Sequence, residues 1–152
     1  MTAEPSRQQE HRIVVGVDGS ESSKEALAWA VRQARLTRAV VEAVTAWDYP
    51  KAYGYPVPIL DVDFAGLATK TVTDAIAEIP ADSEAAAIRH RVVKGNAARV
   101  LVDASVGADL LVVGSRGHGG FVEALLGSIG QHCAQHAACP VVVIRDSAAH
   151  SH

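Results

Sequence analysis

Short runs of β-branched and other apolar residues alternate along the chain with segments of helical periodicity, and this alternation constrains the fold more than any other feature. The first run, "RIVVGV", ends in the turn-and-cap cluster "DGSES", after which apolar residues recur every three or four positions. The run "DLLVVG" is apolar throughout, as in a strand buried on both faces, whereas "AIRHRVV" alternates as a strand near a sheet edge does. The predicted strands are 12–17, 39–47, 87–93, 109–114 and 140–145.

Four predicted helices connect these strands. The first has apolar residues between Ala26 and Ala34 and takes Ser22 or Ser23 as its N-cap. The second runs over 64–79 and stops at a proline, the third contains "VLVDA", and the fourth covers 127–138. The intervening proline- and aromatic-rich segment, 48–66, is predicted to be a long loop up to the start of the second helix. Its aromatic side chains either close over a ligand or pack on the sheet.

Strands that alternate with helices predict an α/β fold, an open five-stranded parallel sheet with helices on both faces. In such sheets a ligand binds beyond the carboxyl ends of the strands, where the strand order reverses. Two loops have suitable chemistry for that place, one after the first strand and one after the fourth. The first of these loops consists of Gly16, Val17, Asp18, Gly19 and Ser20.

Length and composition indicate one globular domain and exclude several classes of protein. The 152 residues are 49% hydrophobic and 20% charged, which is ordinary for a folded domain. We therefore expect one domain over 11–146, with disordered tails at 1–10 and 147–152. A net charge of -3 gives no electrostatic case for binding nucleic acid or an anionic membrane. Because no apolar run reaches about 18 residues and the first residues lack a signal-peptide core, we expect a cytoplasmic protein with reduced cysteines.

The stretch "GSRGHGGFVEALLGS", residues 114–128, carries five glycines and follows the most apolar strand. Gly114 and Gly117 bracket a tight turn, and Gly127 with Ser128 opens the last helix. A helix N-terminus offers unpaired amides and a partial positive charge to a phosphate, and a glycine lets a phosphate oxygen come close to the main chain. Ser115 and Arg116 can close the other side, so the loop is suited to a phosphorylated ligand. The alternative is that the glycines only permit a tight surface turn.

Other nucleotide-binding motifs are absent. The chain has no G-x-x-x-x-G-K-[ST], which excludes a Walker-type P-loop. The segment "GVDGSE" after the first strand does not match G-x-G-x-x-G, so NAD is not the expected ligand.

The sequence resembles the universal stress protein family over about residues 11–146. The family's nucleotide motif, G-x2-G-x9-G-[ST], is matched in full by Gly114, Gly117, Gly127 and Ser128. The segment "IVVGVDGSESSKEALAWA" is similar to the family's first strand and helix, and "HAACPVVVIR" is similar to its last helix and strand.

The resemblance implies a Rossmann-like sheet of the adenine nucleotide alpha hydrolase type, with strand order 3-2-1-4-5 and ATP in the crevice. By the same resemblance, Asp18 would contact the adenosine part or a metal, and the main chain of Val44 would bond the edge of an adenine packed against it. Gly95 would border the site. The ribose and phosphates would be surrounded by Gly114, Arg116, Gly117, Gly127, Ser128 and Ile129. The chain departs from the family pattern modestly, with Asn96 and Ala97 where proline is frequent and Ala43 where histidine is frequent.

The residues indicate nucleotide binding rather than turnover, because no convincing catalytic base is present. Asp18 is the nearest candidate, but an acid that caps the "DGSE" turn is an equal interpretation. His118 can approach a terminal phosphate, although a lone loop histidine is more often solvated. We expect an ATP-binding regulator of the stress response, with Mg²⁺ as a possible companion. The alternatives are a slow Mg²⁺-dependent ATPase or phosphotransferase, a cyclic AMP-binding member of the family, and an interaction module with an empty site.

Two further features concern metals and partners. His132 and His136 share a helix face, but Cys133 lies about 100° round the helix from His132 and Cys139 lies beyond the helix end. We therefore predict a core cysteine and solvated histidines, and we assign no metal ligand. The apolar strand at 141–145 is predicted to be a sheet edge, and by resemblance to the family we expect it to form a homodimer.

Overall fold

Strands and helices alternate along the chain as the apolar pattern predicts. The computed structural model describes residues 10–52, 55–56, 62–80, 87–115 and 127–145, so the predicted tails lie outside the described residues apart from Glu10. In chain order the elements within these ranges are β1 (Arg12–Gly16), α1 (Glu21–Thr37), β2 (Val40–Trp47), β3 (Lys51–Ala52), β4 (Tyr55–Pro56), α2 (Phe64–Ala77), β5 (Ile88–Lys94), α3 (Ala97–Ala104), β6 (Leu110–Gly114), α4 (Ser128–His136) and β7 (Val141–Ile144).

Five of the strands form one parallel sheet in the order β5-β2-β1-β6-β7, which confirms the predicted order 3-2-1-4-5. Ile13 of β1 lies opposite Val41 of β2 on one side and Leu110 of β6 on the other. The chain moves outward from β1 through β2 to β5, and it then crosses to β6 and continues to β7. The strand order therefore reverses between β1 and β6, and in open α/β sheets a ligand binds beyond the carboxyl ends of the strands at such a point.

The helices cover both faces of the sheet. Alternate side chains of β1 enter different cores, because successive strand residues point to opposite faces. Ile13 and Val15 pack with residues of α1 and α2, whereas Val14 packs with residues of α3 and α4. β6 is buried through its centre, as its continuous apolar run predicts, and β5 and β7 form the two edges.

The N-cap of α1 differs from the prediction. Ser20 is the N-cap, and its hydroxyl oxygen accepts a hydrogen bond from the amide of Ser23 at 3.2 Å. The expectation of Ser22 or Ser23 was wrong, because the turn formed by the residues before Ser20 allows the helix to begin earlier. The helix ends at Thr37, and its C-cap residue Arg38 has a φ of 59°, which lies in the left-handed region.

Three other features also differ from the prediction, namely a short strand pair inside the predicted loop and the ends of two helices. The predicted loop after β2 contains a short antiparallel pair, β3 with β4, in which Ala52 lies opposite Tyr55. Helix α2 ends at Ala77 rather than at residue 79, and α4 ends at His136 rather than at residue 138. None of the helices in the described part of the chain is long and apolar enough to span a membrane.

Candidate functional site

The loop after β1 is held by its own side chains. One carboxylate oxygen of Asp18 accepts hydrogen bonds from the amide of Ser20 at 2.9 Å and from its hydroxyl at 2.5 Å. The amide of Asp18 in turn donates to the hydroxyl of Ser23 at 3.3 Å. Gly19 has a φ of 87°, which favours glycine in this turn. Asp18 therefore has the contacts of a turn acid, and these contacts fix the start of α1.

The glycine motif begins where β6 meets the first turn of α1. A Cβ added to Gly114 would lie 2.7 Å from the backbone carbonyl carbon of Ser22, a distance that real Cβ atoms do not adopt. Ser22 is 2% exposed and cannot retreat into solvent. This close approach brings the end of β6 directly against the helix that follows the Asp18 loop. The two predicted loops therefore leave from neighbouring strand ends.

The second half of the motif returns to the same place. The amide of Gly127 donates to the carbonyl of Ser115 at 2.8 Å, and the amide of Ser115 donates to the carbonyl of Ile144 at 2.8 Å. The residues between them, 116–126, lie outside the described residues, and with them lie the predicted site residues Arg116 and Gly117 and the histidine at position 118. The hydrogen bond nevertheless anchors the start of α4 at the carboxyl end of β6.

Helix α4 begins with an N-terminus suited to an anion. Gly127 is the N-cap and has no side chain to bond the amides of the first turn. Those amides carry the partial positive charge of the helix N-terminus. Ser128, the first helical residue, is exposed, whereas Ile129 is half-buried and packs against the core beneath α3 and α4. The amides and the hydroxyl of this turn can therefore donate to phosphate oxygens.

Val44 lies beside the loop after β1, but its side chain is not available to a ligand. It stands opposite Gly16, and its carbonyl accepts a hydrogen bond from the amide of Val17 at 2.9 Å. The side chain is 1% exposed and packs in the core beneath α3 and α4. Thr45 adds a hydrogen bond from its hydroxyl to the carbonyl of Val17 at 2.8 Å. Any contact between Val44 and a ligand must therefore be through the main chain.

Gly95 joins the ends of β2 and β5. Its amide donates to the carbonyl of Trp47 at 2.8 Å, and its φ of 145° favours glycine. Asn96 follows as the N-cap of α3 and accepts from the amide of Arg99 at 3.1 Å. Asn96 thus supports the helix start at a position where the family often has proline.

A cleft of about 430 Å³ lies between these two strand ends. Its lining begins at Ala46, two residues beyond Val44 along β2. Apart from Gly95, sequence analysis did not assign its lining to the site. The lining residues are Ala46, Trp47, Asp48, Tyr49, Gly95, Asn96 and Ala97.

The aromatic side chains beside this cleft pack on one another. The rings of Trp47 and Tyr49 meet edge to face with centroids 5.4 Å apart, and Tyr49 meets Phe64 in the same way at 5.9 Å. The ammonium of Lys94 lies 4.7 Å from the centroid of the Tyr49 ring, within cation–π range. Trp47 and Tyr49, two of the aromatics for which packing and closure over a ligand were both open, pack on each other at the end of β2 and also line the cleft.

The cysteine of α4 is buried and its two histidines are exposed. Cys133 is fully buried in the core, as predicted, and burial raises the pKa of its thiol to about 11. His132 and His136 are exposed, as predicted. Cys139 lies beyond the end of the helix and is half-buried, and burial raises the pKa of its thiol as well.

Comparison with known proteins identifies the family. The sequence model described as "Universal stress protein family" matches residues 10–145. A universal stress protein of Mycobacterium tuberculosis is 35% identical over 142 residues, which are 91% of this chain and 46% of that protein. The chain therefore spans about half the length of such curated relatives.

Solved structures of other universal stress proteins have the same fold. One, described as a complex with cAMP, is 28% identical, with a TM-score of 0.68 over 92% of this chain and 100% of that one. Another, from Arabidopsis thaliana and described with AMP bound, has a TM-score of 0.63 over 93% of this chain and 96% of that one. At 20% identity, the second of these supports the fold alone.

Proposed function

The chain belongs to the universal stress protein family, and from this premise we propose that it binds ATP at the carboxyl ends of β1 and β6. In this proposal it is a cytoplasmic regulator of the stress response, and nucleotide binding changes its conformation or its partners. One observation carries the proposal, namely the hydrogen bond between Gly127 and Ser115, which anchors an uncapped helix N-terminus beside the Asp18 loop.

The proposed site assigns the phosphates to the first turn of α4. The main-chain amides of Ser128 and Ile129 and the hydroxyl of Ser128 donate to them. The amide of Gly127 is bonded to Ser115, and the absence of a side chain at Gly127 lets a phosphate oxygen approach the main chain. The predicted residues 114–117 complete this part of the proposed site. The adenosine extends from there over residues 16–20 toward Val44 and Gly95. The cleft between β2 and β5 has aromatic residues in its lining and lies on this line, so it supports the assignment of the base to that end.

The contacts of Asp18 support nucleotide binding without hydrolysis. A general base must reach the proton that it removes, and one oxygen of Asp18 already accepts two hydrogen bonds within its own turn. Mg²⁺ accompanies the nucleotide as a charge partner in this proposal. Cyclic AMP is the second candidate ligand, favoured by the solved relative whose description names cAMP.

A thermal melt of the nucleotide-stripped chain tests the proposal. ATP with Mg²⁺ at about 100 times its dissociation constant adds about 2.7 kcal/mol of stability. For a domain of this size we expect the midpoint to rise by about 5 to 10 °C. The variant Gly127→Val should abolish the rise, because its side chain occupies the space next to the first-turn amides. Melts with cyclic AMP, ADP and GTP, run in parallel, rank these ligands by the rise in midpoint. A larger rise with cyclic AMP than with ATP would make cyclic AMP the first candidate ligand and ATP the second.

A milder pair of variants separates loss of binding from loss of fold. Ser128→Ala removes an exposed hydroxyl from α4, and Thr69→Ala removes an exposed hydroxyl from α2, on the opposite face of the sheet. We expect Ser128→Ala to weaken ATP binding while Thr69→Ala leaves it unchanged. A well-folded protein that no nucleotide stabilises would refute the proposal.

The proposed partner is a second copy of the chain, bound through β7. Within the described residues β7 pairs on one side, with β6, and its four residues are half-buried. The carbonyls of Pro140 and Ile144 bond to amides at and next to β6, so the main chain of the alternate residues Val141 and Val143 points away from β6. An edge strand that turns main-chain amides and carbonyls outward and carries apolar side chains favours pairing with another strand.

This geometry provides a matched pair of proline variants. Val143→Pro removes an outward amide and should dissociate the dimer while the sheet stays intact. Val142→Pro removes an amide that faces β6 and should destabilise the fold itself. Sedimentation velocity measures the assembly and circular dichroism the fold. A wild-type chain that sediments as a monomer at about 100 μM would contradict the proposed dimer.

A further inference from the structure

Helix α4 presents two imidazoles to solvent on a face next to the one that contacts the core. Cys133 and Gly130 are the buried residues of the helix, whereas His132 and His136 are both exposed. The two histidines are four residues apart, so their side chains project from successive turns of one face. The centroids of their rings are 4.5 Å apart, and the ring planes are inclined by 43°.

This separation matches the separation of two imidazoles that share one metal ion. A metal–nitrogen bond of about 2.0–2.1 Å places the centre of each imidazole about 3.2 Å from the metal. Two such ligands at an angle of about 90° to 110° have ring centres about 4.5 to 5.2 Å apart. The observed 4.5 Å lies at the lower end of that interval, before any side-chain adjustment.

We propose that His132 and His136 form a surface chelate for a divalent transition-metal ion, separate from the nucleotide site. Imidazole nitrogen prefers Cu²⁺, Ni²⁺ and Zn²⁺ over Mg²⁺ and Ca²⁺, and Cu²⁺ binds most tightly in that series. No group of three or more His, Cys, Asp or Glu suited to a metal occurs in the described part of the chain. The proposed site therefore has two protein ligands, and water completes the coordination.

The position of the pair on α4 favours a cation. His136 lies in the last turn of the helix, where the carbonyl groups concentrate partial negative charge. His132 and His136 follow Ser128 by one and two turns, about 6 and 12 Å along the helix axis. A metal bound by the two histidines thus joins two successive turns of α4. It lies away from the N-terminal turn of α4, to which the phosphates are assigned.

The test is calorimetric titration of the full untagged chain with ZnCl₂ and with CuSO₄, in the absence of nucleotide. We expect one equivalent of metal to bind, and either His132→Gln or His136→Gln to weaken the affinity about tenfold or more, because chelation by a second ligand is lost. His90→Gln removes an exposed imidazole of β5 and should leave the affinity unchanged.

A rearranged pair tests the spacing itself. Ala134→His combined with His136→Gln keeps two exposed histidines on α4 but places them two residues apart, on different faces of the helix. We expect this variant to bind metal as weakly as His136→Gln does. Binding that survives in both single variants would assign the metal to other histidines, such as His150 and His152, and overturn the proposal. An absence of binding at about 1 mM of either metal ion would overturn it as well.

Discussion

The first glycine of the nucleotide motif has a packing role that does not depend on any ligand, and substitution can measure it. Gly114 and Gly16 end neighbouring strands, and a Cβ at either would contact a residue on an adjacent helix. At Gly114 the contact is 2.7 Å to the backbone carbonyl carbon of Ser22, with the side chain of Ser22 closer still. At Gly16 it is 2.7 Å to a terminal methyl carbon of Leu101. The first obstacle is a helix backbone and the second is the end of a flexible side chain.

These contacts predict different costs for the same substitution. Overpacking a core costs about 1 to 3 kcal/mol, and the cost is greatest where the backbone must move. We therefore expect Gly114→Ala to lower the free energy of unfolding by about 2 to 3 kcal/mol. Gly16→Ala should lower it by about 1 kcal/mol, because a rotation of the Leu101 side chain can relieve the contact. For a domain of this size the midpoint of thermal unfolding should fall by about 4 to 12 °C in Gly114→Ala and by about 2 to 4 °C in Gly16→Ala.

Urea denaturation of the nucleotide-free variants measures both values, with the slope m as the check that only stability has changed. The double variant Gly114→Ala with Ser22→Ala should recover part of the loss, since it removes the contact with the hydroxyl and keeps the contact with the backbone. Equal costs at Gly114 and Gly16, or a cost below about 0.5 kcal/mol at Gly114, would show that the motif glycine is present for the ligand alone.

Three further substitutions probe the remaining buried polar groups. Ser105→Ala should lower the free energy of unfolding by about 1 to 3 kcal/mol in a urea titration, because the fully buried hydroxyl accepts the amide that follows α4 at 2.8 Å. Arg12→Ala should lower the free energy of unfolding by about 2 to 4 kcal/mol, because the guanidinium bonds Glu42 at 2.8 Å as well as two carbonyls at the end of α3. The same substitution made in a Glu42→Gln variant should cost less. A thiol reagent at pH 8 should modify Cys139 before Cys133, and modification of Cys133 at the same rate would contradict its burial. Since burial raises the pKa of Cys133 from 9.0 to about 11, the folded thiol keeps its proton where the unfolded thiol loses it, so stability falls between those pH values. The stability difference between the wild type and Cys133→Ala should therefore shrink as the pH rises from 8.5 to 10.5.

Local patterns in the sequence determined the class of fold. The apolar run "DLLVVG" identified β6 as an interior strand, and the alternating "AIRHRVV" identified β5 as an edge strand. A strand buried on both faces is apolar throughout, whereas a strand buried on one face alternates apolar and polar residues. The glycine motif likewise indicated a phosphate-binding helix start, since both its glycines and its serine lie in one segment. The strand order came from the resemblance to a known family rather than from any local pattern.

Tertiary structure alone decided which distant residues meet. The cleft between Trp47 and Asn96 exists because β2 pairs with β5, strands that are separated in the chain by residues 48–87. Gly114 packs against Ser22, on a helix that is distant in the chain, through geometry that periodicity does not encode. Periodicity specifies which face of an element is buried, but the contacts of a side chain depend on the neighbouring element, and that is selected only when the whole sheet assembles.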